Sequence, residues 1–230
     1  MRVLVFDTET TGLPQTKIIG PDTLNLWPTI VQFSYVIFDT ELNDIVESKD
    51  YIIKVPENVM ISEESTKIHG ITNEISSKQG IAITEVLNEF FYYLRSVDSL
   101  VGHNITFDLN MVKIELLRII YNKLTSQEQI KHYKYDLHYI NNYKNVHCTL
   151  QDSIELCNIK AIDKFGKEYL KYPKLIELHQ KLFNCSPNNL HNSFIDILVT
   201  LRCFMKLKYN NDLLQNCSSF KKYSNELNLV

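Results

Sequence analysis

The chain is poor in the residues that interrupt folds: 6 glycines and 6 prolines in 230 residues, with no long polar tract and no internal repeat. That scarcity leaves no candidate linker, and a hydrophobic content of 44% is enough for a single domain with a full core. No stretch approaches the roughly 20 apolar residues that a membrane helix needs. The opening run, Val3 to Phe6, is too short for the apolar part of a signal sequence and has no small-residue cleavage site after it. The expectation is a soluble protein, cytoplasmic or nuclear, not secreted and with no membrane partner. The five cysteines (Cys148, Cys157, Cys185, Cys203, Cys217) form no C-x-x-C pair. Neither a zinc ribbon nor a disulfide framework is suggested, and a reducing compartment fits. Basic excess is missing too, the net charge being −3. This argues against coating nucleic acid by bulk positive charge. It leaves room for an enzyme that grips a few nucleotides through bound cations.

Periodicity then supplies the elements. Residues 3–6 read as a buried strand ending at Asp7, 30–38 as a second strand and 51–55 as a third, in an antiparallel meander. Thr84 is placed to cap a helix to about residue 97, with Val86, Leu87, Phe90, Phe91 and Leu94 as its apolar face. Residues 99–102 and 146–150 read as further strands. Helices are expected over about 107–124 and near 153–158, 174–183 and 193–208. Strands first, then strands alternating with helices, predict an α/β fold: a mixed β-sheet flanked by helices. The main domain is expected over 1–208, with 121–145 as an accessory insertion and 209–230 as a tail, helical or partly disordered. Within the insertion, Lys131, His132, Tyr133, Lys134 and Tyr135 interleave cations and aromatics as single-strand grooves do. The alternative is a surface helix pair whose tyrosines pack on the domain.

Three acidic strings stand out. In Phe6-Asp7-Thr8-Glu9-Thr10-Thr11-Gly12-Leu13, strand alternation puts Asp7 and Glu9 on one face. Adjacent carboxylates repel unless protonated or bridged by cations, and hard oxygen ligands favour Mg²⁺ or Mn²⁺. The plain alternative is an acidic strand end running into a turn. In Val101-Gly102-His103-Asn104-Ile105-Thr106-Phe107-Asp108, the acid falls in the first turn of a helix, where it also complements the helix dipole. In His191-Asn192-Ser193-Phe194-Ile195-Asp196, five helical residues would sweep about 500°. His191 therefore belongs in the loop and Asp196 in the first turn; a capping box, Ser193-x-x-Asp196, is the alternative there.

At these residues the chain resembles the DEDDh branch of the DnaQ-like 3′→5′ exonucleases, including polymerase-proofreading epsilon-type enzymes. Asp-x-Glu-Thr-Thr-Gly is matched at residues 7–12, His-Asn-x-x-Phe-Asp at 103–108, and His followed five residues later by Asp at His191 and Asp196. Asn192 stands where a sister branch has tyrosine. The resemblance implies an RNase H-like fold. It also implies two divalent cations, Mg²⁺ or Mn²⁺, with Asp7 bridging both, Glu9 and Asp196 completing one site and Asp108 serving the other. His191 would be the general base and nucleoside 5′-monophosphates the products. Glu64 and Ile68-His69-Gly70-Ile71-Thr72 resemble the loop that contacts the terminal nucleotide; the local reading is a helix ended by Gly70 with Thr72 capping the next. Thr10, Thr11, Leu13, Glu64, His69, Asn104 and Phe107 are the implied substrate contacts, with core packing the equal alternative for Phe107. The implied partners are DNA 3′ ends, single-stranded or frayed, in replication or repair, and a DNA polymerase. RNA is the alternative substrate, and an inactive polymerase-associated module the alternative role.

Overall fold

A computed structural model describes all 230 residues, Met1–Val230. Five strands, β1 (Arg2–Thr10), β2 (Ile30–Asp39), β3 (Asp44–Ile52), β4 (Ser99–Gly102) and β5 (Val146–Cys148), form one sheet in the order β3-β2-β1-β4-β5. β2 runs antiparallel to β1 and β3, whereas β4 and β5 run parallel to β1 and to each other. Between and after the strands lie α1 (Glu63–His69), α2 (Asn73–Gln79), α3 (Ile83–Leu94), α4 (Ile105–Ile120), α5 (Gln127–Asn141), α6 (Thr149–Asp152) and α7 (Ile154–Cys157). A separate hairpin, β6 (Lys160–Ile162) and β7 (Glu168–Leu170), precedes α8 (Leu175–Phe183), α9 (Ser193–Tyr209), α10 (Leu213–Asn216) and α11 (Ser218–Glu226). This is the mixed, helix-flanked sheet expected of an α/β protein.

Alternation along β1 divides the core in two. Leu4 and Phe6 point into a cluster with α3 and α4, where Phe6, Phe33 and Phe90 meet at ring-centroid separations of 5.1–5.9 Å. Val3 and Val5 point the other way, into a cluster built on α9. Truncating a ring such as Phe90 to alanine would cost about 3–5 kcal/mol. α9 is buried over nearly all of 195–205, because it lies on the sheet while α8 and α10 pack against it from other sides; α11 packs on α10 and on β3. No helix is long and apolar enough to cross a membrane.

Several local expectations shift. The third strand is Asp44–Ile52, not 51–55; its charged residues hide it from pattern reading, and they suit an edge strand that must not pair further. α3 starts at Ile83 after Ala82, so Thr84 is inside the first turn and caps nothing. α4 begins at Ile105, two residues early, because Asn104 takes the left-handed conformation (φ 69°) and turns the chain directly out of β4. The strand expected over 146–150 stops at Cys148, where the chain turns into α6, and the helix expected near 153–158 is the single turn α7, set off from α6 at Ser153. In the 121–145 insertion, α5 packs along α4 and buries Tyr133, Asp136 and Ile140, with Arg95 bound to Asp136. Lys131 and Lys134 lie on its exposed side. Residues 209–230 are folded, with Leu213, Phe220 and Leu229 buried in the second core.

Candidate active site

Asp7 and Glu9 emerge from the end of β1 on the face covered by α9. On the paired strand, Ser34 stands opposite Asp7 and Gln32 opposite Glu9. These two neighbours seat the helix that brings the third acid. Ser34 Oγ bonds Ser193 Oγ, the Ser193 N–H donates to Gln32 Oε1 (3.3 Å), and both β2 side chains donate to Asp50 Oδ1 (2.7 and 2.8 Å). Ser193 is therefore spent on the sheet, and the alternative reading of this string, a Ser193–Asp196 capping box, does not form. Asn192 caps α9 instead, its side chain accepting from the N–H groups of Phe194 and Ile195. With the helix start so held, Asp196 lies in the first turn, and one oxygen each from Asp7, Glu9 and Asp196 lie within 4.8 Å of one another.

Asp108 reaches the cluster from the opposite face. It is buried in the first turn of α4, where Oδ1 accepts from both the N–H (3.0 Å) and the hydroxyl (2.8 Å) of Thr8, the residue between Asp7 and Glu9. Asp108 lies outside the group of three but close enough that its charge acts on Asp7 and Glu9. None of the four carboxylates is in an ion pair. Burial, reinforced by mutual repulsion, lifts Asp7 well above the carboxylate range and Glu9 to about 8. Burial also raises Asp108 and Asp196, against hydrogen bonds from Thr8 and from the His191 N–H respectively. Asp196 Oδ1 is buried with no partner. An orphaned oxygen in an uncompensated acidic cluster fits a hard divalent cation.

His191 is in the loop before α9. Its backbone N–H donates to Asp196 Oδ2 (3.2 Å), its side chain is exposed, and its φ of 72° is left-handed. His103, by contrast, is tied down: Nδ1 meets Thr149 Oγ1 (3.0 Å) and Nε2 meets the Pro173 carbonyl (3.1 Å).

The implied substrate contacts divide into bound and free groups. Thr10 donates its hydroxyl to the Gly12 carbonyl, and Thr11 accepts from the Thr29 N–H. Leu13 is 84% exposed, and Glu64 and Asn104 are exposed without side-chain partners. His69 is buried at the end of α1, where Gly70 takes the left-handed cap and Thr72 caps α2 as read from sequence. Its Nδ1 accepts from the Ile71 N–H, while Nε2 has no hydrogen-bond partner although the Thr10 backbone lies beside the ring. Phe107 is half-buried and packs against the first core. Sequence reasoning missed Gln32, Ser34, Asp50 and Thr8. The polar alternation within an otherwise apolar β2 was the one available signal.

A model of the exonuclease family (RNase T class) matches residues 4–204. The epsilon subunit of DNA polymerase III from Buchnera aphidicola (subspecies Schizaphis graminum) is 29% identical over 114 residues, 50% of this chain and 45% of that protein. Among solved structures, Exonuclease I from Methylocaldum szegediense aligns with 93% of this chain and 42% of its own, at 17% identity and a TM-score of 0.59. Exonuclease I of E. coli, in a zinc-bound complex with single-stranded DNA, aligns with 91% of this chain and 41% of its own, at 17% identity and a TM-score of 0.58. The chain thus spans less than half the length of these relatives. The structural likeness shows a shared RNase H-like fold, and the match across both cores and all three acidic strings makes this chain a member of the DnaQ-like exonuclease family.

Proposed function

We propose that the chain is a metal-dependent 3′→5′ exonuclease that releases nucleoside 5′-monophosphates from DNA ends, in proofreading or repair. The observation that carries this reading is the convergence of Asp7, Glu9 and Asp196 within 4.8 Å, with no cationic side chain to balance them. Those three would hold one divalent cation, Mg²⁺ or Mn²⁺, and Asp108, beside Asp7, would serve a second. Bound cations of this kind compensate charge on the attacking and leaving oxygens of an in-line displacement.

The chain's own groups do the rest. The His191 imidazole, exposed in the loop whose backbone binds Asp196, takes the proton of the attacking water. The new bond forms between water oxygen and phosphorus while the bond from phosphorus to the upstream 3′ oxygen breaks, and that oxygen leaves with the shortened strand. Leu13, exposed just past Gly12, wedges against the terminal base, and the open face of Phe107 stacks on it. Glu64, His69 and Asn104, with the backbone at Thr10 and Thr11, line the position of the terminal sugar. The zinc-bound Exonuclease I complex and the polymerase epsilon relative support a divalent metal, a DNA substrate and a polymerase partner.

The test uses 5′-labelled single-stranded DNA, duplex DNA with a mismatched 3′ end, and RNA, each with Mg²⁺, Mn²⁺ or excess EDTA. A ladder shortening one nucleotide at a time from the 3′ end, on DNA and only with metal, is the expected result. Robust cleavage in EDTA overturns the metal reading, and faster trimming of RNA than of DNA reassigns the substrate.

A further inference from the structure

The hairpin β6–β7 takes no part in the main sheet, and no sequence pattern announced it. Its root is tied to the segment that carries the second acidic string. The Lys171 N–H donates to the Ile159 carbonyl, and the Pro173 carbonyl meets His103, which lies five residues before Asp108 in the chain. Its tip is a built turn. Asp163 Oδ1 accepts from the N–H groups of Phe165 (2.8 Å) and Lys167 (2.9 Å), and Gly166 supplies the left-handed residue at φ 83°. An isolated two-stranded hairpin is marginal unless something covers a face. Here Ile162, Phe165, Tyr169 and Tyr172 all stand exposed, Phe165 at 83%.

The charge on this segment is opposite to that of the molecule. Residues 160–174 hold five lysines against Asp163 and Glu168, in a chain of net charge −3. Lys160 pairs with Glu168 at 3.5 Å at the surface, where such pairs are weak, and Lys171 pairs with Glu177 at 2.6 Å in a half-buried position. Lys164, Lys167 and Lys174 are in no ion pair, and Lys164 Nζ stands 5.0 Å from the Phe165 ring centroid. Register places Tyr169 opposite Ala161, so Lys167, Tyr169 and Lys171 share one face along β7. Cation, ring, cation matches phosphate, base, phosphate along a single strand.

We propose that the β6–β7 hairpin is a strand-guiding arm: it binds single-stranded nucleic acid upstream of the 3′ end, stacking bases on Phe165 and Tyr169 and meeting phosphates with Lys164, Lys167 and Lys171. The proposal rests on the exonuclease reading for the direction in which the strand runs, but its binding chemistry is independent of catalysis. A protein partner would want the same rings but not the unpaired lysines, so charge complementarity favours the polyanion.

Fluorescence anisotropy in EDTA on labelled 20-nucleotide and 3-nucleotide DNA tests it with the full chain. Phe165→Ala with Tyr169→Ala should weaken binding of the longer strand at least about tenfold, given what a stacked base contributes. Phe165→Trp with Tyr169→Phe should restore it. Lys164→Ala with Lys167→Ala should flatten the salt dependence by about 0.7 in slope per lysine. Lys131→Ala with Lys134→Ala, the same loss of charge from α5, should leave affinity close to that of the parent. Trinucleotide turnover should be unchanged in every variant. The proposal is overturned by unchanged 20-nucleotide affinity in both hairpin variants, by an equal loss in the α5 control, or by an equal loss on the trinucleotide. A parent chain that binds through the hairpin but hydrolyses nothing would sink the exonuclease reading and leave the arm standing.

Discussion

α9 passes through two partly buried charged regions, and they are solved in opposite ways. Near its middle, Arg202 makes a two-pronged ion pair with Asp212 (Nε–Oδ1 2.7 Å, Nη2–Oδ2 2.9 Å). Its third nitrogen donates to His179 Nε2 (3.0 Å), and the guanidinium lies 3.8 Å over the Phe183 ring. His179 in turn donates from Nδ1 to the Cys185 carbonyl (2.8 Å), and burial holds it neutral with a pKa near 4. Every charge there has its opposite. At the start of the same helix Asp196 joins Asp7 and Glu9 with no opposite at all. Desolvating an ion is expensive unless it is paired. The first region therefore belongs to the fold, and the second is completed only by something that binds.

The sharpest break of that contrast is Asp7→Asn. It should lower turnover roughly 10³–10⁵-fold, the several kcal/mol that metal-held charge supplies. The metal-free melting temperature should stay level or rise, because repulsion is relieved. A variant that lost stability instead would make Asp7 a structural residue. His191→Ala should come next, lowering turnover roughly 10²–10⁴-fold. The melting shift on adding Mg²⁺ should persist, since only the backbone of His191 touches Asp196. Unchanged turnover would remove the imidazole from the chemistry.

Asp212→Asn tests the paired region. It strands Arg202 and should cost about 3–5 kcal/mol of stability in denaturant melts, with kcat of the folded fraction preserved. A loss under 1 kcal/mol would show that the pair is dispensable. Finally, the two regions should carry opposite pH dependence. Glu9 is raised from 4.5 to about 8, so the folded state holds its proton more tightly than the unfolded state does. Stability from this region is full below about pH 4 and is lost as pH rises towards 8. Asp212 is lowered, the Arg202 bond and charge outweighing burial, so its contribution is present above the ordinary carboxylate range and lost as pH falls through its folded pKa. The metal-free protein should thus melt lower at pH 8 than at pH 5, and saturating Mg²⁺ should shrink that difference. A flat profile without metal would mean that neither burial nor mutual repulsion raises the carboxylates of the cluster.

Much of this was legible in local strings because the physics is local. Strand alternation puts Asp7 and Glu9 on one side of β1, and helical pitch puts Asp108 and Asp196 in first turns with His191 in the loop before α9. The apolar face of α3 followed from its 3.6-residue spacing. Where the strands themselves were polar, pattern reading failed. β3 was misplaced because an edge strand need bury only part of one face, and the three-residue strands of the β6–β7 hairpin are too short to show a period. Nor does any local rule say which face of the sheet a helix will cover. That α9 comes down on the side of Val3, Val5 and Asp7, seated by Ser34 and Gln32, while α4 takes the side of Phe6 and Thr8, follows from packing between segments far apart in the chain. Composition and short-range geometry determined which carboxylates were available and how each leaves its own element. Only the packed tertiary structure decided that three of them meet within 4.8 Å, that Asp108 is held to Thr8, and that no lysine or arginine meets any of them, because long-range burial chooses neighbours that no stretch of sequence specifies alone.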